Sequence, residues 1–235
     1  MDKPITQAVI LAGGKGERLL PLTRTVPKPM VQIAGRPFLE YLVEFLKQNG
    51  IERIVMLLGY LPHVITEHFG DGSKFGVDIR YVIGTSEDDT GARIRDAAHM
   101  LDNTFLLLYC DNYAPIHLAE LVRLHQEKGV LATVTVYNNK DSFTKNNMLV
   151  DEQGFVARYD RTRKDEGLNG VDIGFFVCDK HITKFFPEQG NFSFESIILP
   201  TLIAQKQLAA WRTDTRYHSI GSIERLPATE AFFRN

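Results

Sequence analysis

The sequence predicts an α/β fold in which a mostly parallel sheet is covered by helices on both sides. Two observations predict it: short apolar runs alternate with segments of helical periodicity, and a glycine-rich loop directly follows the first apolar run. Parallel strands need long crossover connections, usually helices, so this alternation is typical of a sheet buried in a layered α/β sandwich.

The first 140 residues contain most of the expected elements. Apolar runs predict strands at residues 7–12, 54–58, 79–83, 105–110 and 131–137. Helical spacing predicts helices at residues 38–49, 63–69, 92–101 and 118–128, the first of them closed by Asn49-Gly50. Together these segments describe a strand and helix series with a parallel core.

From about residue 141 the pattern becomes richer in strands. Residues 148–150 and 155–159 predict a hairpin around a tight turn, and residues 171–178, 208–213 and 216–220 predict further strands. A helix at residues 194–205 and a final helix complete the chain. Because there is no linker, repeat or low-complexity tract, we expect one domain, 1–235, with a small β-rich C-terminal elaboration.

Composition narrows the classes of partner. The 27 Lys and Arg residues nearly balance the 29 Asp and Glu residues, so a net charge of -2 gives no overall field to attract nucleic acid or an anionic membrane. The apolar runs are too short for a signal peptide or a membrane span, and we expect a cytoplasmic protein. Cys110 and Cys178 lie in apolar runs and are expected to be reduced core residues.

The loop from Gly13 to Arg18 is the first candidate binding site. Open α/β sheets place ligands at the carboxyl ends of their strands, and this loop follows the first strand. Glycines let backbone N–H groups approach an anion, while Lys15 and Arg18 add positive charge. The loop lacks the third glycine of the dinucleotide fingerprint, which disfavours an oxidoreductase, and it lacks the closing residues of a P-loop. Glycines alone could also serve only to turn the chain.

A second cation follows in a constrained segment. Lys28 lies between Pro27 and Pro29, which restrict the backbone around it. The alternative is a solvated lysine in a rigid turn, but with the glycine-rich loop present we favour a second phosphate contact.

A candidate metal ligand follows the strand at 105–110. Asp111 stands at its carboxyl end, where it could meet the glycine-rich loop, and Mg²⁺ prefers one or two carboxylates together with phosphate oxygens and water. An Asp-Asn turn that only closes the strand is the alternative.

These motifs resemble the opening of the sugar-phosphate nucleotidyltransferases, from Leu11-Ala12-Gly13-Gly14-Lys15-Gly16-Glu17-Arg18-Leu19 to Pro27-Lys28-Pro29-Met30. The resemblance implies a Rossmann-like three-layer sandwich of the nucleotide-diphospho-sugar transferase type, with residues 1–140 binding the nucleotide and 141–235 the sugar. It implies that the segment from Leu11 to Gly16 wraps the nucleotide phosphates, that Arg18 and Lys28 neutralise charge during transfer, and that Asp111 binds Mg²⁺.

The resemblance also suggests residues for the base and the sugar. Thr90-Gly91 resembles the segment against the nucleobase and ribose, although the acidic run before it could simply favour a helix N-terminus. On the sugar side the resemblance implies contacts from Asn112, Asp160, Arg161, Asp172 and Gly174, whereas the charged segment around Asp160 could be only a solvated loop.

Two positions depart from the family pattern. Cys110 stands where the family has glycine before its aspartate, and Ser219 stands where a second metal-binding aspartate is usual. One Asp with the phosphates could hold the metal, or Asp214 or another group could assist.

The resemblance implies transfer of a nucleoside monophosphate from a triphosphate to a sugar 1-phosphate, with release of pyrophosphate. Our narrow prediction is GTP with D-glycero-D-manno-heptose 1-phosphate. The alternatives are CTP, UTP or dTTP with a hexose 1-phosphate, or a sensor that binds nucleotide sugars without catalysis. The family also makes a homo-oligomer possible.

Overall fold

A central sheet of seven strands organises the part of the chain that the computed structural model describes, residues 4–234. In chain order the strands are β1 (Gln7–Ala12), β2 (Gln32–Ile33), β3 (Arg36–Pro37), β4 (Arg53–Leu58), β5 (Asp78–Ile83), β6 (Thr104–Tyr109), β7 (Asn112–Tyr113), β8 (Ala132–Tyr137), β9 (Met148–Val150), β10 (Val156–Tyr159), β11 (Val171–Asp179), β12 (Leu208–Thr213) and β13 (His218–Ser219). The helices are α1 (Phe38–Gln48), α2 (Pro62–Phe69), α3 (Thr90–Asp96), α4 (Leu118–Lys128), α5 (Leu199–Ala204) and α6 (Leu226–Arg234).

The strand order confirms the predicted mostly parallel sheet. Its order is β12-β8-β11-β6-β1-β4-β5, and every pairing is parallel except the two that β11 makes with β6 and β8. Both β11 and β12 come from the segment after residue 141, so the early and late parts of the chain share one sheet. The division into a nucleotide part and a sugar part stays a prediction.

Side-chain alternation along the strands builds the two outer layers. On β1, Ala8, Ile10 and Ala12 face a core that includes side chains of α1, α2 and α4, whereas Val9 and Leu11 face a second core with α3 and α5. Because successive residues of a strand point to opposite faces, a strand buried on both sides is apolar at nearly every position. All six residues of β1 are buried, as the prediction requires, and its one polar residue, Gln7, donates to the Met100 carbonyl at 2.8 Å.

Most predicted elements exist, with differences at their ends. The helix predicted at 194–205 is a π-helical turn, Phe194–Ile198, followed by α5, and Pro200 in the first turn of α5 lacks the N–H that a continuous helix would use. The helix predicted at 92–101 begins earlier, at Thr90, and ends at Asp96. The strand predicted at 216–220 shrinks to β13 because its partner β7 offers only two residues.

Two further predictions concern the cysteines and the membrane. Cys110 and Cys178 are free and buried, as expected. Among residues 4–234, no helix combines the length and the apolar character that crossing a bilayer would require.

The geometry of the sheet aligns the loops that carry the candidate site. β1 and β6 are parallel neighbours with Leu11 opposite Tyr109, so the glycine-rich loop and Asp111 leave the sheet at the same level. The antiparallel pair β7 and β13 then places Ser219 opposite Asn112. Strand β11 adds a register shift between Asp172 and Phe176.

Gly174 lies within that register shift and yields a test of the fold. Its φ is +79°, and an added Cβ would lie 2.8 Å from Cδ2 of Tyr109. We predict that Gly174→Ala lowers the free energy of unfolding by about 2 kcal/mol, through left-handed strain and displacement of the Tyr109 ring. Urea denaturation of the wild type and the variant measures this difference in the free energy of unfolding.

Gly14→Ala is the matched control, since a Cβ there meets nothing within 4 Å and the backbone is outside the left-handed region. Its free energy of unfolding should stay within about 0.5 kcal/mol of the wild type. Equal effects of the two substitutions would contradict the strain at Gly174.

Candidate active site

A cleft of about 540 Å³ opens at the carboxyl ends of β1 and β6. It contains residues from the glycine-rich loop, the proline-flanked turn, the acidic segment before α3 and the end of β6. Its lining comprises Leu11, Gly13, Gly14, Lys15, Gly16, Glu17, Arg18, Lys28, Ser86, Glu87, Asp88, Asp89, Thr90, Arg93, Tyr109, Cys110, Asp111 and Gly221. Its volume is in the range of small-molecule binding sites.

The two predicted cations and the predicted carboxylate meet in this cleft. Lys28 Nζ donates to Asp111 Oδ2, and both side chains are mostly shielded, with exposed fractions of 15% and 22%. A Cβ built on Gly221 would lie 3.9 Å from Asp111 Oδ2 and 4.0 Å from Arg18 Nη2, so the Arg18 guanidinium is also close. Burial alone would raise the pKa of Asp111, but Lys28 and Arg18 outweigh it and hold that pKa below its usual range.

Local packing explains how the loop and the turn come together. Lys28 begins a short 3₁₀ turn, in which Met30 N–H donates to the Pro27 carbonyl at 2.8 Å. Gly16 has φ +67°, and a Cβ there would lie 2.8 Å from Lys28 Cβ. The glycine at position 16 therefore lets the loop pack directly against the base of the Lys28 side chain.

The acidic segment before α3 faces the glycine-rich loop across the cleft. Lys15 Nζ lies 2.5 Å from Glu87 Oε1, with exposed side-chain fractions of 41% and 74%. Asp88 instead closes its own turn, since its carboxylate accepts from Thr85 N–H at 2.6 Å and from Thr85 Oγ1 at 2.9 Å. One wall of the cleft is therefore basic and the opposite wall acidic.

A buried arginine behind the loop ties three strand ends together. Arg93 is 5% exposed, and its guanidinium donates to four backbone carbonyls: Leu58 at 2.7 Å, Gly13 at 3.3 Å, Thr85 at 2.6 Å and Asp88 at 3.1 Å. A Cβ on Gly13 would lie 2.1 Å from Arg93 Cζ. Gly13 is thus required by the packing of a neighbouring side chain.

Asp111 is the carboxylate of the cleft that was predicted to bind a metal ion, and this role stays a prediction. Among residues 4–234, no group of three or more His, Cys, Asp or Glu side chains is arranged to hold a metal ion. Ser219 stands beside Asp111: its hydroxyl donates to the Asp111 carbonyl at 3.2 Å and accepts from Gly221 N–H at 3.0 Å. Asp214 is engaged elsewhere, with Asn138 at 2.7 Å and Lys140 at 2.8 Å.

Several predicted residues lie outside the lining of this cleft. They are Ala12, Gly91, Asn112, Asp160, Arg161, Asp172 and Gly174. The Asp160 carboxylate holds its own loop, because it accepts from the N–H groups of Thr162, Lys164 and Asp165 at 2.7 to 2.9 Å. Arg161 Nη1 donates to the hydroxyls of Ser193 and Ser196 at 3.3 and 3.1 Å. Their contacts with a sugar phosphate stay a prediction.

Asn112 connects β7 to β11, whereas the Asp172 carboxylate makes its hydrogen bond within β11. Asn112 Nδ2 donates to the Ile173 carbonyl at 3.0 Å, and Asp172 Oδ1 accepts from Gly174 N–H at 2.7 Å. Burial raises the pKa of Asp172 to about 7; the Gly174 N–H opposes the rise and the charge of Glu195 adds to it.

The protein shows similarity to known enzymes over most of its length. The family model described as "Nucleotidyl transferase" matches residues 7–210. The chain belongs to the nucleotidyl transferase family.

Members of the family give the comparison more detail. The D-glycero-alpha-D-manno-heptose 1-phosphate guanylyltransferase of Campylobacter jejuni is 34% identical over 193 residues, which cover 82% of this chain and 84% of that protein. The UTP--glucose-1-phosphate uridylyltransferase of Synechocystis is 28% identical over 213 residues, and the chain spans 55% of its length. The crystal structure of HddC from Yersinia pseudotuberculosis has the same fold, with a TM-score of 0.83, 24% identity and coverage of 97% of this chain and 100% of that one.

The sequence analysis did not identify Arg93, Tyr109 or Glu195 as residues of the site, although all three contribute to the cleft of this nucleotidyl transferase. Arg93 and Tyr109 line the cleft, and Glu195 accepts a hydrogen bond from the Tyr109 hydroxyl. A signal existed for Arg93, which lies between buried Ala92 and Ile94 where a surface arginine is not expected.

Arg93 gives a test of how the site is scaffolded. We predict that Arg93→Met lowers the free energy of unfolding by about 3 kcal/mol, because buried carbonyls lose their donor. Arg123→Met, at a side chain that is 72% exposed, is the control and should change stability by at most about 0.5 kcal/mol. Chemical denaturation measures the free energy of unfolding of both variants. Equal values for Arg93→Met and Arg123→Met would contradict the scaffolding role of Arg93.

Asp172 gives a test by pH. Its pKa is 3.8 ordinarily and about 7 in the folded protein, so between these values the folded state keeps a proton that the unfolded state has lost. The wild type should therefore lose stability as the pH rises from about 4 to about 7, and Asp172→Asn should lack this loss. Urea denaturation at about pH 5 and about pH 8 measures the difference. Parallel pH profiles of the two proteins would contradict the raised pKa.

Proposed function

We propose that this protein joins a nucleoside monophosphate to a sugar 1-phosphate and releases pyrophosphate. The observation that carries the proposal is the convergence of Arg18, Lys28 and Asp111 with the glycine-rich loop in one cleft. Membership of the nucleotidyl transferase family and the named activities of its relatives support it.

The reaction needs no nucleophile from the protein. An oxygen of the sugar 1-phosphate attacks the α-phosphorus of the triphosphate, the new P–O bond forms, and the bond from that phosphorus to the β-phosphate oxygen breaks. Pyrophosphate leaves with the electron pair. Since both reactants are anions, the protein's task is to align them and to compensate charge, which Arg18, Lys28 and the loop N–H groups can do.

Asp111 fits a role as the protein ligand of Mg²⁺. It is a carboxylate at the floor of the cleft, beside the two cations that would contact phosphate, and Mg²⁺ accepts one carboxylate with phosphate oxygens and water as its remaining ligands. When bound, the ion would neutralise phosphate charge. Ser219, beside Asp111, supplies a neutral hydroxyl where the family's second aspartate is expected.

We propose a nucleotide subsite within the cleft and a sugar-phosphate subsite beside it, at residues outside the cleft lining. We place the phosphates on the segment from Leu11 to Gly16, and the base and ribose near Thr90 and Gly91. The sugar phosphate is assigned to the part of the chain after residue 141, with Arg161 on the phosphate and Asp160, Asp172, Gly174 and the earlier Asn112 around the sugar.

We propose that the protein acts in the cytoplasm. We propose that its substrates are GTP and D-glycero-D-manno-heptose 1-phosphate. The guanylyltransferase relative from Campylobacter jejuni supports this pair. The acidic wall also supports it, because a carboxylate can accept from both N1–H and the 2-amino group of guanine, two adjacent donors that the pairing edges of cytosine, uracil and thymine lack. CTP, UTP or dTTP with a hexose 1-phosphate is the alternative, and the uridylyltransferase relative supports it.

The decisive test is a panel of triphosphates against sugar 1-phosphates with Mg²⁺, with pyrophosphate as the readout. We expect one pair, GTP with the heptose phosphate, to release pyrophosphate fastest. Release with another pair would correct the substrates but keep the reaction. Binding without release from any pair would replace the enzyme with a nucleotide-sugar sensor.

Arg18→Ala tests the charge compensation in the same assay. We predict that turnover falls by about two orders of magnitude or more, as expected when one preorganised donor to the transition state is lost. Arg24→Ala is the control, since Arg24 is an exposed arginine in the same segment and lies outside the cleft lining. Near-normal turnover of Arg18→Ala would remove Arg18 from the mechanism.

A further inference from the structure

Glu195 is a buried carboxylate that sequence reasoning gives no role. Its residue is 9% exposed, and it lies in the π-helical turn before α5. Three hydroxyl groups donate to it: Thr90 Oγ1 at 2.7 Å, Ser193 Oγ at 2.6 Å and the Tyr109 hydroxyl. The carboxylate is therefore paired by neutral donors, and no Lys, Arg or His of residues 4–234 is in hydrogen-bond contact with it.

Two of these hydroxyls belong to the cleft described above. Thr90 begins α3 after the acidic wall, and Tyr109 ends β6 two residues before Asp111; both line the cleft. Thr90 Oγ1 donates to Glu195 and at the same time accepts from Phe194 N–H at 2.9 Å. The orientation of both cleft residues is thus fixed by Glu195.

The third hydroxyl leads to the proposed sugar-phosphate side. Ser193 Oγ donates to Glu195 and accepts from Arg161 Nη1 at 3.3 Å, while Ser196 Oγ accepts from the same nitrogen at 3.1 Å. A continuous chain of hydrogen bonds therefore runs from Thr90 through Glu195 and Ser193 to Arg161.

The backbone just before Glu195 also makes hydrogen bonds with the acidic segment and the first turn of α3, on the proposed nucleotide side. Asn191 accepts from Asp89 N–H at 2.6 Å and donates to the Glu87 carbonyl at 2.9 Å. Ala92 N–H donates to the Phe192 carbonyl at 3.1 Å, and a Cβ on Gly91 would lie 2.3 Å from the Phe192 ring. The segment 191–196 therefore cannot shift without moving the wall of the cleft.

The chemistry of a carboxylate explains why this residue type is needed. An ionised carboxylate only accepts, so it directs all three hydroxyl protons toward itself and leaves the oxygen lone pairs of Thr90 and Ser193 for Phe194 N–H and Arg161. Burial would raise the pKa of Glu195, but the hydrogen bonds from Ser193, Tyr109 and Thr90 outweigh it and lower that pKa. An amide would instead direct an N–H toward groups that already donate.

We propose that Glu195 is a positioning residue that couples the nucleotide subsite to the sugar-phosphate subsite. The inference rests on the proposed function for the identity of the two ligands. Binding of either ligand would fix its end of the hydrogen-bond chain, and the second ligand would then meet a site already ordered. Such coupling is reciprocal, because it is a free energy shared by the two sites.

Calorimetry of the full chain tests the coupling. The probes are α,β-methylene-GTP, or the methylene analogue of the triphosphate that the panel selects, and its sugar 1-phosphate. In the wild type we expect the sugar phosphate to tighten binding of the analogue by about tenfold. In Glu195→Gln this ratio should fall to about one.

Two further variants separate coupling from loss of structure. Ser193→Ala keeps two donors to Glu195 but removes the hydroxyl that joins Glu195 to Arg161, so it should also abolish the coupling. Because Ser193 Oγ also accepts from Ser196 N–H at 3.2 Å as the cap of the π-helical turn, we expect a modest fall of the thermal midpoint in a variant that stays folded. Glu188→Gln, at an exposed position just before the segment 191–196, should keep the wild-type ratio.

The outcomes for this inference and for the proposed reaction are distinct. A wild-type ratio in Glu195→Gln and Ser193→Ala, or no coupling in the wild type, would overturn the role of Glu195 even if pyrophosphate is released. A wild type that binds both ligands without releasing pyrophosphate would overturn the proposed reaction, and the binding ratios would still test Glu195.

Discussion

The site depends on the ion pair between Lys28 and Asp111. A carboxylate at the floor of a cleft is costly to bury unless a cation pairs with it, and Lys28 supplies that charge from a turn fixed by two prolines. The pair forms because β1 and β6 are parallel neighbours that end at the same level, which brings the segment after each strand to one place. Sheet topology thus determines where the charges meet.

Next to the Lys28–Asp111 pair, a second cation, Arg93, is bound by backbone carbonyls instead of carboxylates. Parallel strands that end together leave carbonyls of the following loops pointing into a shared space, and Arg93 binds those of Gly13, Leu58 and Thr85 with one planar guanidinium. The same side chain prevents any residue larger than glycine at position 13. The conformation of the glycine-rich loop therefore depends on its contact with Arg93 as well as on its own glycines.

The sequence predicted the features that depend on local patterns or on strand topology, and it missed those that depend on contacts of individual side chains. Strands β1 and β12 and helix α4 match their predicted bounds because their apolar patterns are local and end at clear signals. The meeting of Arg18, Lys28 and Asp111 was predictable from topology, since each follows the carboxyl end of a strand. Arg93 and Glu195 were not, because neither follows the end of a strand: Arg93 lies within α3 and Glu195 within a π-helical turn, and each reaches its partner, Gly13 or Thr90, through its side chain. Local periodicity carries no information on such pairings.

The two sides of the site are held by different kinds of contact. On the proposed phosphate side, strand ends, a proline-flanked turn and Arg93 fix the backbone itself. On the proposed sugar side, Asp160 binds its own loop and Arg161 reaches the rest of the site through serine hydroxyls, so side chains carry the connection. Side-chain contacts can change with single substitutions, whereas strand order cannot. A family with one strand order can therefore include relatives named for different sugars and nucleotides, as the guanylyl and uridylyl enzymes are.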